Sequence, residues 1–133
     1  MPDKTYTTYK DLKIWQQAME LSQDVYQLCE GFSKKHTDLA GQVRFSAVQL
    51  PTHIASGWQK KFQSKSDYIN GLRYSLSKLC QLETLLTLSS DIGAMEENGE
   101  LMEKINHLTR MMISMITKIS HGGDPKPNGK ATS

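Results

Sequence analysis

The chain of 133 residues has few of the residues and motifs that stabilise secreted or membrane proteins. Its two cysteines, Cys29 and Cys80, fit neither a disulfide framework nor a metal-ligand motif. Both lie among helically spaced apolar residues, so we expect small buried side chains rather than a redox pair. No apolar run approaches the ~20 residues of a membrane-spanning helix, and Met1–Thr5 lacks a hydrophobic stretch after its charged residues. The sequence predicts a soluble cytoplasmic protein.

Motifs of enzymes and cofactor sites are also missing. No Glu-x-x-His, glycine-rich phosphate loop, haem-attachment motif or nucleophile elbow occurs in the sequence. The four histidines, His36, His53, His107 and His121, include no pair three or four residues apart, the spacing that places two ligands on one helical face. We therefore expect no enzymatic activity, no metal and no cofactor.

Positive charge is concentrated in the middle of the chain, although the net charge is only +2. Residues 44–78 contain six basic residues and a single acidic one, Asp67. They are Arg44, Lys60, Lys61, Lys65, Arg73 and Lys78. On two adjacent helices they would form one stripe that contacts nucleic-acid phosphates, although such a set is also common on an ordinary solvated face.

Apolar residues repeat at intervals of three and four in four segments separated by short polar breaks. The first helix should begin near Tyr9, after a capping box of Thr8 and Asp11, and end near residues 31–33. Because the connections are short, neighbouring helices should be antiparallel. The predicted fold is all-α, an up-down-up-down four-helix bundle over residues 9–120, with a flexible arm at 1–8 and a disordered tail at 121–133.

The second predicted helix contains a proline at its centre. Pro51 removes the amide that would reach the carbonyl of Ala47, which costs roughly 3 kcal/mol in a helix interior unless packing compensates. We expect Pro51 to bend this helix and Gly57 to allow a close approach at a helix crossing, while Trp15 anchors the first helix. His53 is expected to form local hydrogen bonds at the bend rather than a functional site.

Aromatic residues alternate with the basic ones. They are Phe45, Trp58, Phe62, Tyr68 and Tyr74. Exposed rings would stack on unpaired bases, but Trp58 and Phe62 continue the core stripe and are expected to be buried. Helices one and three have more apolar surface than one bundle interior requires, which favours self-association or a protein partner. The methionines of the last helix, Met102, Met111, Met112 and Met115, fit either a core or a partner surface.

Three stretches resemble the bacterial four-helix-bundle proteins encoded by intervening sequences of 23S ribosomal RNA genes. The first is Tyr9-Lys10-Asp11-Leu12-Lys13-Ile14-Trp15, and the third is Leu82-Glu83-Thr84. The second comprises Gln42, Val43, Arg44, Ala47, Val48, Leu50, Pro51, Ile54, Ala55 and Gly57. The likeness extends over about residues 9–119. The chain departs from the family pattern at Phe45, His53 and Ser56, where relatives commonly carry Arg, Asn and Glu.

The resemblance implies a four-helix bundle that forms a ring-like homopentamer with a basic surface and no enzymatic activity. A related accessory protein of diversity-generating retroelements is credited with binding nucleic acid and a reverse transcriptase. We therefore expect a homo-oligomeric protein that binds RNA or DNA through the basic stripe, with a polymerase or other protein as a further partner. The alternative is a protein-interaction or scaffold module that does not bind nucleic acid.

Overall fold

The structure is a computed structural model that describes residues 8–122. Four α-helices make up most of it: α1 (Lys13–Cys29), α2 (Thr37–Lys60), α3 (Lys65–Asp91) and α4 (Gly99–Ser120). The described part of the chain contains no strand, so the prediction of an all-α four-helix bundle is confirmed. The predicted arm, apart from Thr8, and the predicted tail from residue 123 onward lie outside the described residues. No helix between residues 8 and 122 is long and apolar enough to cross a bilayer.

The start of α1 differs from the prediction. The capping box of Thr8 and Asp11 is present, but it opens a short 3-10 turn at Tyr9–Asp11 rather than an α-helix. Leu12 is extended, with φ −75° and ψ 129°, so the chain changes direction before α1 begins at Lys13. The helix also ends earlier than expected, at Cys29. A capping motif marks the start of a helical turn without specifying its type.

Side chains from all four helices form one core. Its fully buried members include Leu21, Val25, Leu50, Ile54, Leu72, Leu79, Leu82, Leu86, Ile105, Leu108, Met112 and Ile119. Met102, Met111 and Met115 are partly buried against it, so the methionines of α4 contribute mainly to the core. Trp15 is half-buried and packs edge-on against Tyr9, with the ring centroids 5.4 Å apart.

Helix α2 is continuous through Pro51. Since residue 51 has no amide hydrogen, the carbonyl of Ala47 has no helical donor four residues later. The hydroxyl of Ser22, on α1, donates to this carbonyl at 2.8 Å, and Ser22 is itself buried. The expectation that His53 compensates for the proline was therefore wrong: the donor comes from the neighbouring helix.

The backbones of helices α2 and α3 come into contact at two glycines. A Cβ atom on Gly71 would lie 2.7 Å from the Cα of Gly57, and one on Gly57 would lie 3.2 Å from the carbonyl carbon of Gly71. Further along, the buried Ser75 hydroxyl of α3 donates to the carbonyl of Leu50 at 3.1 Å. Backbone contact at this crossing sets the register of α3 against α2.

Replacing Gly71 by alanine tests the crossing. We expect Gly71→Ala to lower the free energy of unfolding by about 1–3 kcal/mol, because its methyl group collides with backbone that cannot move alone. Gly41→Ala is the matched control. Gly41 lies in α2, and a Cβ atom added there would have no atom within 4 Å apart from its chain neighbours and the nearby backbone of its own helix. The control should be neutral or stabilise the protein by up to about 1 kcal/mol. Equal effects in urea denaturation would contradict the account.

Ser22 and Pro51 should be energetically coupled. We expect Ser22→Ala to cost about 1–3 kcal/mol because it leaves the buried carbonyl of Ala47 without a donor. In a Pro51→Ala background the restored amide at residue 51 satisfies that carbonyl, so the same substitution should cost less. A double-mutant cycle by chemical denaturation measures the difference. Equal losses in both backgrounds would show that the serine does not compensate for the proline.

Candidate nucleic-acid interface

A basic and aromatic cluster spans the outer side of the α2–α3 pair. On α2, His53 packs against Tyr74 of α3 with ring centroids 4.6 Å apart and an interplanar angle of 88°. The Nζ atom of Lys78 lies 5.0 Å from the centre of the Tyr74 ring. Lys60 and Lys78 both act electrostatically on His53. We call these four residues, Lys60, His53, Tyr74 and Lys78, the Lys60–Lys78 cluster.

The register of the two helices creates this cluster. Gly57 meets Gly71 at the crossing, and Leu50 meets Ser75, so His53 lies beside Tyr74 between these two contacts. Lys60 and His53 are seven residues apart on α2, which places them on one helical face. Lys78 follows Tyr74 by one helical turn on α3 and reaches back over its ring.

The environment of His53 favours its neutral form. Partial burial lowers the pKa of the ring from 6.5, and the positive charges of Lys78 and Lys60 lower that pKa further. The imidazole therefore stays uncharged at neutral pH, and the two lysines supply the positive charge of the cluster. As the pH falls below 6.5, the unfolded chain takes up the proton more readily, so this site loses its contribution to stability.

The other predicted basic residues of the α2–α3 turn and of α3 lie close to this cluster in sequence. Lys61 follows the end of α2, with its Nζ atom 4.9 Å from the Trp58 ring centre and 5.6 Å from that of Phe62. Lys65 is the first residue of α3 and is exposed, as is Arg73. Lys61, Lys65 and Arg73 thus flank the cluster in sequence.

Arg44 occupies a different side of the molecule. Its guanidinium carbon lies 5.5 Å from the centre of the Tyr26 ring on α1. Burial raises the pKa of the Cys29 thiol, also on α1, and the Arg44 charge offsets part of that rise. The structure therefore places Arg44 against α1, whereas Lys78 lies over the Tyr74 ring of α3.

Two expectations about burial were wrong. Phe62 is 65% exposed, because α2 ends at Lys60 and the core-facing stripe does not continue into the turn. Cys80 is exposed, whereas Cys29 is buried as expected. Of the remaining aromatic residues, Trp58 and Tyr68 are buried, while Phe45 is 63% and Tyr74 49% exposed.

Phe45 borders a shallow groove between α2 and α3. The groove has a volume of about 510 Å³, and Gln42, Phe45, Ser46, Cys80, Gln81 and Leu85 are among its lining residues. All six are uncharged. This second surface of the α2–α3 pair is therefore uncharged, in contrast to the Lys60–Lys78 cluster.

Within residues 8–122, the acidic side chains that form ion pairs lie on α1. Lys104 of α4 contacts Asp24 at 2.6 Å and Glu20 at 2.9 Å, both on α1. Hydrogen bonds to Asp24 and then Glu20 raise the pKa of Lys104. In the part of the chain that the structure describes, these are the ion pairs formed, so Lys60 and Lys78 have no carboxylate partner there.

Residues 8–122 contain no group of three or more His, Cys, Asp or Glu side chains placed to hold a metal ion. The fold and this surface define a four-helix-bundle protein whose basic cluster on α2 and α3 has no carboxylate partner among residues 8–122. A model of the 23S rRNA-intervening sequence protein family matches residues 10–114, and the chain belongs to this family. Searches of curated proteins and of solved structures found no match.

The electrostatic link between His53 and Lys78 can be measured directly. We expect Lys78→Gln to raise the pKa of His53 but to leave it below 6.5, because burial, the larger cause, remains. An NMR titration of the imidazole resonances gives the shift. Arg44→Gln is the control and should leave the His53 titration unchanged, since Arg44 packs against α1. Identical His53 titrations in the wild type and Lys78→Gln would contradict the assigned geometry.

Proposed function

We propose that this protein is a non-enzymatic, homo-oligomeric nucleic-acid-binding protein that contacts the phosphate backbone of RNA or DNA. The observation that carries the proposal is the pair Lys60 and Lys78, which lie across α2 and α3 with no carboxylate partner among residues 8–122. The family name connects its members with intervening sequences of 23S rRNA. This connection supports RNA as a ligand without excluding DNA.

The binding mechanism follows from the charge and its position. Each lysine that meets a phosphate releases condensed counterions, so the affinity falls as the salt concentration rises. Lys60 and Lys78 are the central contacts, and Lys61, Lys65 and Arg73 extend the surface along α3 and its preceding turn. We assign Arg44 to packing on Tyr26 rather than to this surface. Since phosphates carry no direct sequence information, base selectivity should be weak.

We also infer the finer organisation of the bundle. Contacts between α1 and α2 pair Ser22 with Ala47 and Cys29 with Ala40, which supports antiparallel neighbours and an up-down-up-down topology. A bend of α2 at Pro51 fits the missing amide there. Exposed apolar side chains, among them Phe45, Ile92 and Ile113, support association of several copies, and the resemblance suggests five in a bacterial cytoplasm.

A second candidate function is a protein-interaction module, with a polymerase or another protein as partner. The exposed Phe45 and its neutral groove favour this alternative. Binding there would bury apolar surface and depend little on salt. The response to salt therefore separates the two functions.

Charge reversal tests the proposed surface. We expect Lys60→Glu combined with Lys78→Glu to weaken binding to a short RNA by more than about tenfold at low salt, and to reduce the slope of log affinity against log salt by about 1.4–1.8. Fluorescence anisotropy at several salt concentrations provides both values.

The matched control is Arg110→Glu combined with Lys118→Glu, which changes the net charge equally on exposed positions of α4. It should retain nearly the wild-type slope. Equal weakening by both double variants would mean that net charge, and not the α2–α3 surface, determines binding. Unchanged binding in the first variant would remove Lys60 and Lys78 from the interface.

A further inference from the structure

We propose that Tyr74 is a stacking surface for an unpaired base, so that the protein selects single-stranded over double-stranded nucleic acid. This inference rests on the proposed function and adds a specific ligand class to it. Backbone contacts alone would accept either form. Tyr74 supplies an interaction that only a base outside a duplex can make.

The position of Tyr74 supports a role outside the core. Its side chain is 49% exposed in the middle of α3, whereas Tyr68, two turns earlier on the same helix, is 2% exposed. His53 meets the ring edge to face, with the centroids 4.6 Å apart, and limits its rotation. An exposed ring whose rotation is already restricted loses less conformational freedom when a base stacks on it.

Charge identifies the occupant as a polyanion. The Lys78 ammonium lies 5.0 Å from the centre of the Tyr74 ring, and Lys60 lies close enough to affect the pKa of His53. Among residues 8–122 these lysines have no carboxylate partner, and an aromatic ring flanked by such lysines fits a ligand that alternates bases with phosphates. The long Lys78 side chain can leave the ring for a phosphate while a base takes its place.

Phe45 is another exposed aromatic residue of the α2–α3 pair, but its surroundings differ from those of Tyr74. It is more exposed than Tyr74, at 63%, but the groove beside it is lined by uncharged side chains. A nucleic acid on that groove would gain stacking without neutralising its phosphates. The combination of an exposed ring and adjacent cations therefore points to Tyr74.

Duplex nucleic acid cannot use this surface fully. Bases inside a helix already stack on their neighbours, so their faces are closed to Tyr74 until the strand is unpaired. Removal of the ring should therefore weaken single-strand binding and spare duplex binding. Lys60 and Lys78 would contact the phosphates of both single strands and duplexes. Their substitution should therefore weaken the binding of both ligands.

The test compares Tyr74→Leu, which removes the aromatic face but keeps apolar bulk, with Tyr74→Phe, which keeps the face. The probes are an oligouridylate of about 15 nucleotides and an RNA duplex of equal length. We expect Tyr74→Leu to lower single-strand affinity about tenfold, Tyr74→Phe to stay within about twofold of wild type, and duplex affinity to remain unchanged in both. Thermal melts confirm that each variant is folded.

Tyr26→Leu is the matched control. Tyr26 is 47% exposed and also lies beneath a cation, Arg44, but on the α1 side. The Tyr26→Leu variant should bind both probes as the wild type does. Unchanged single-strand affinity in Tyr74→Leu, or equal losses for both probes, would overturn the stacking proposal while leaving phosphate binding intact.

Two further outcomes distinguish failure of the proposed function from failure of the stacking proposal. If the wild type binds neither probe at low salt, the proposed function itself fails. If Tyr74→Leu changes the solution mass without nucleic acid, the ring belongs to a contact between copies of the chain, and the stacking proposal is overturned.

Discussion

Backbone contact between Gly57 and Gly71 is the constraint on which the described surface depends. Because neither residue has a side chain, α2 and α3 can approach until a single added methyl group would collide with backbone at 2.7 Å. This crossing fixes the register of the two helices. Through that register, His53 of α2 lies beside Tyr74 of α3, and Lys60 and Lys78 share one outer face.

Buried serines of α1 and α3 donate hydrogen bonds to the backbone of α2 near Pro51. Pro51 would leave the carbonyl of Ala47 unsatisfied in the core, and Ser22 of α1 provides the hydrogen bond across the helix interface. Ser75 of α3 donates to Leu50 on the same stretch of α2. Two serines buried in an apolar core thus make polar contacts that fix neighbouring helices to α2, since an unpaired polar group there would be costly.

Helical periodicity and the family motifs were sufficient to predict four helices and the core positions on them. They placed the ends of α1 and α2 too late, and Phe62 was misplaced because its apolar character continued the pattern beyond the last residue of α2. The pairing of His53 with Tyr74 depends on an interhelical register, which no single-helix pattern contains. Likewise, the sequence could not show that Arg44 packs on Tyr26, because this contact depends on how α1 and α2 pack against each other.

The most direct test of the account is the solution mass, measured by light scattering on a size-exclusion column with and without a short RNA. The account predicts a mass several times that of one 15.0 kDa chain, with added mass from RNA at low salt that diminishes as salt rises. A 15.0 kDa species whose mass is unaffected by RNA at any salt concentration would contradict it.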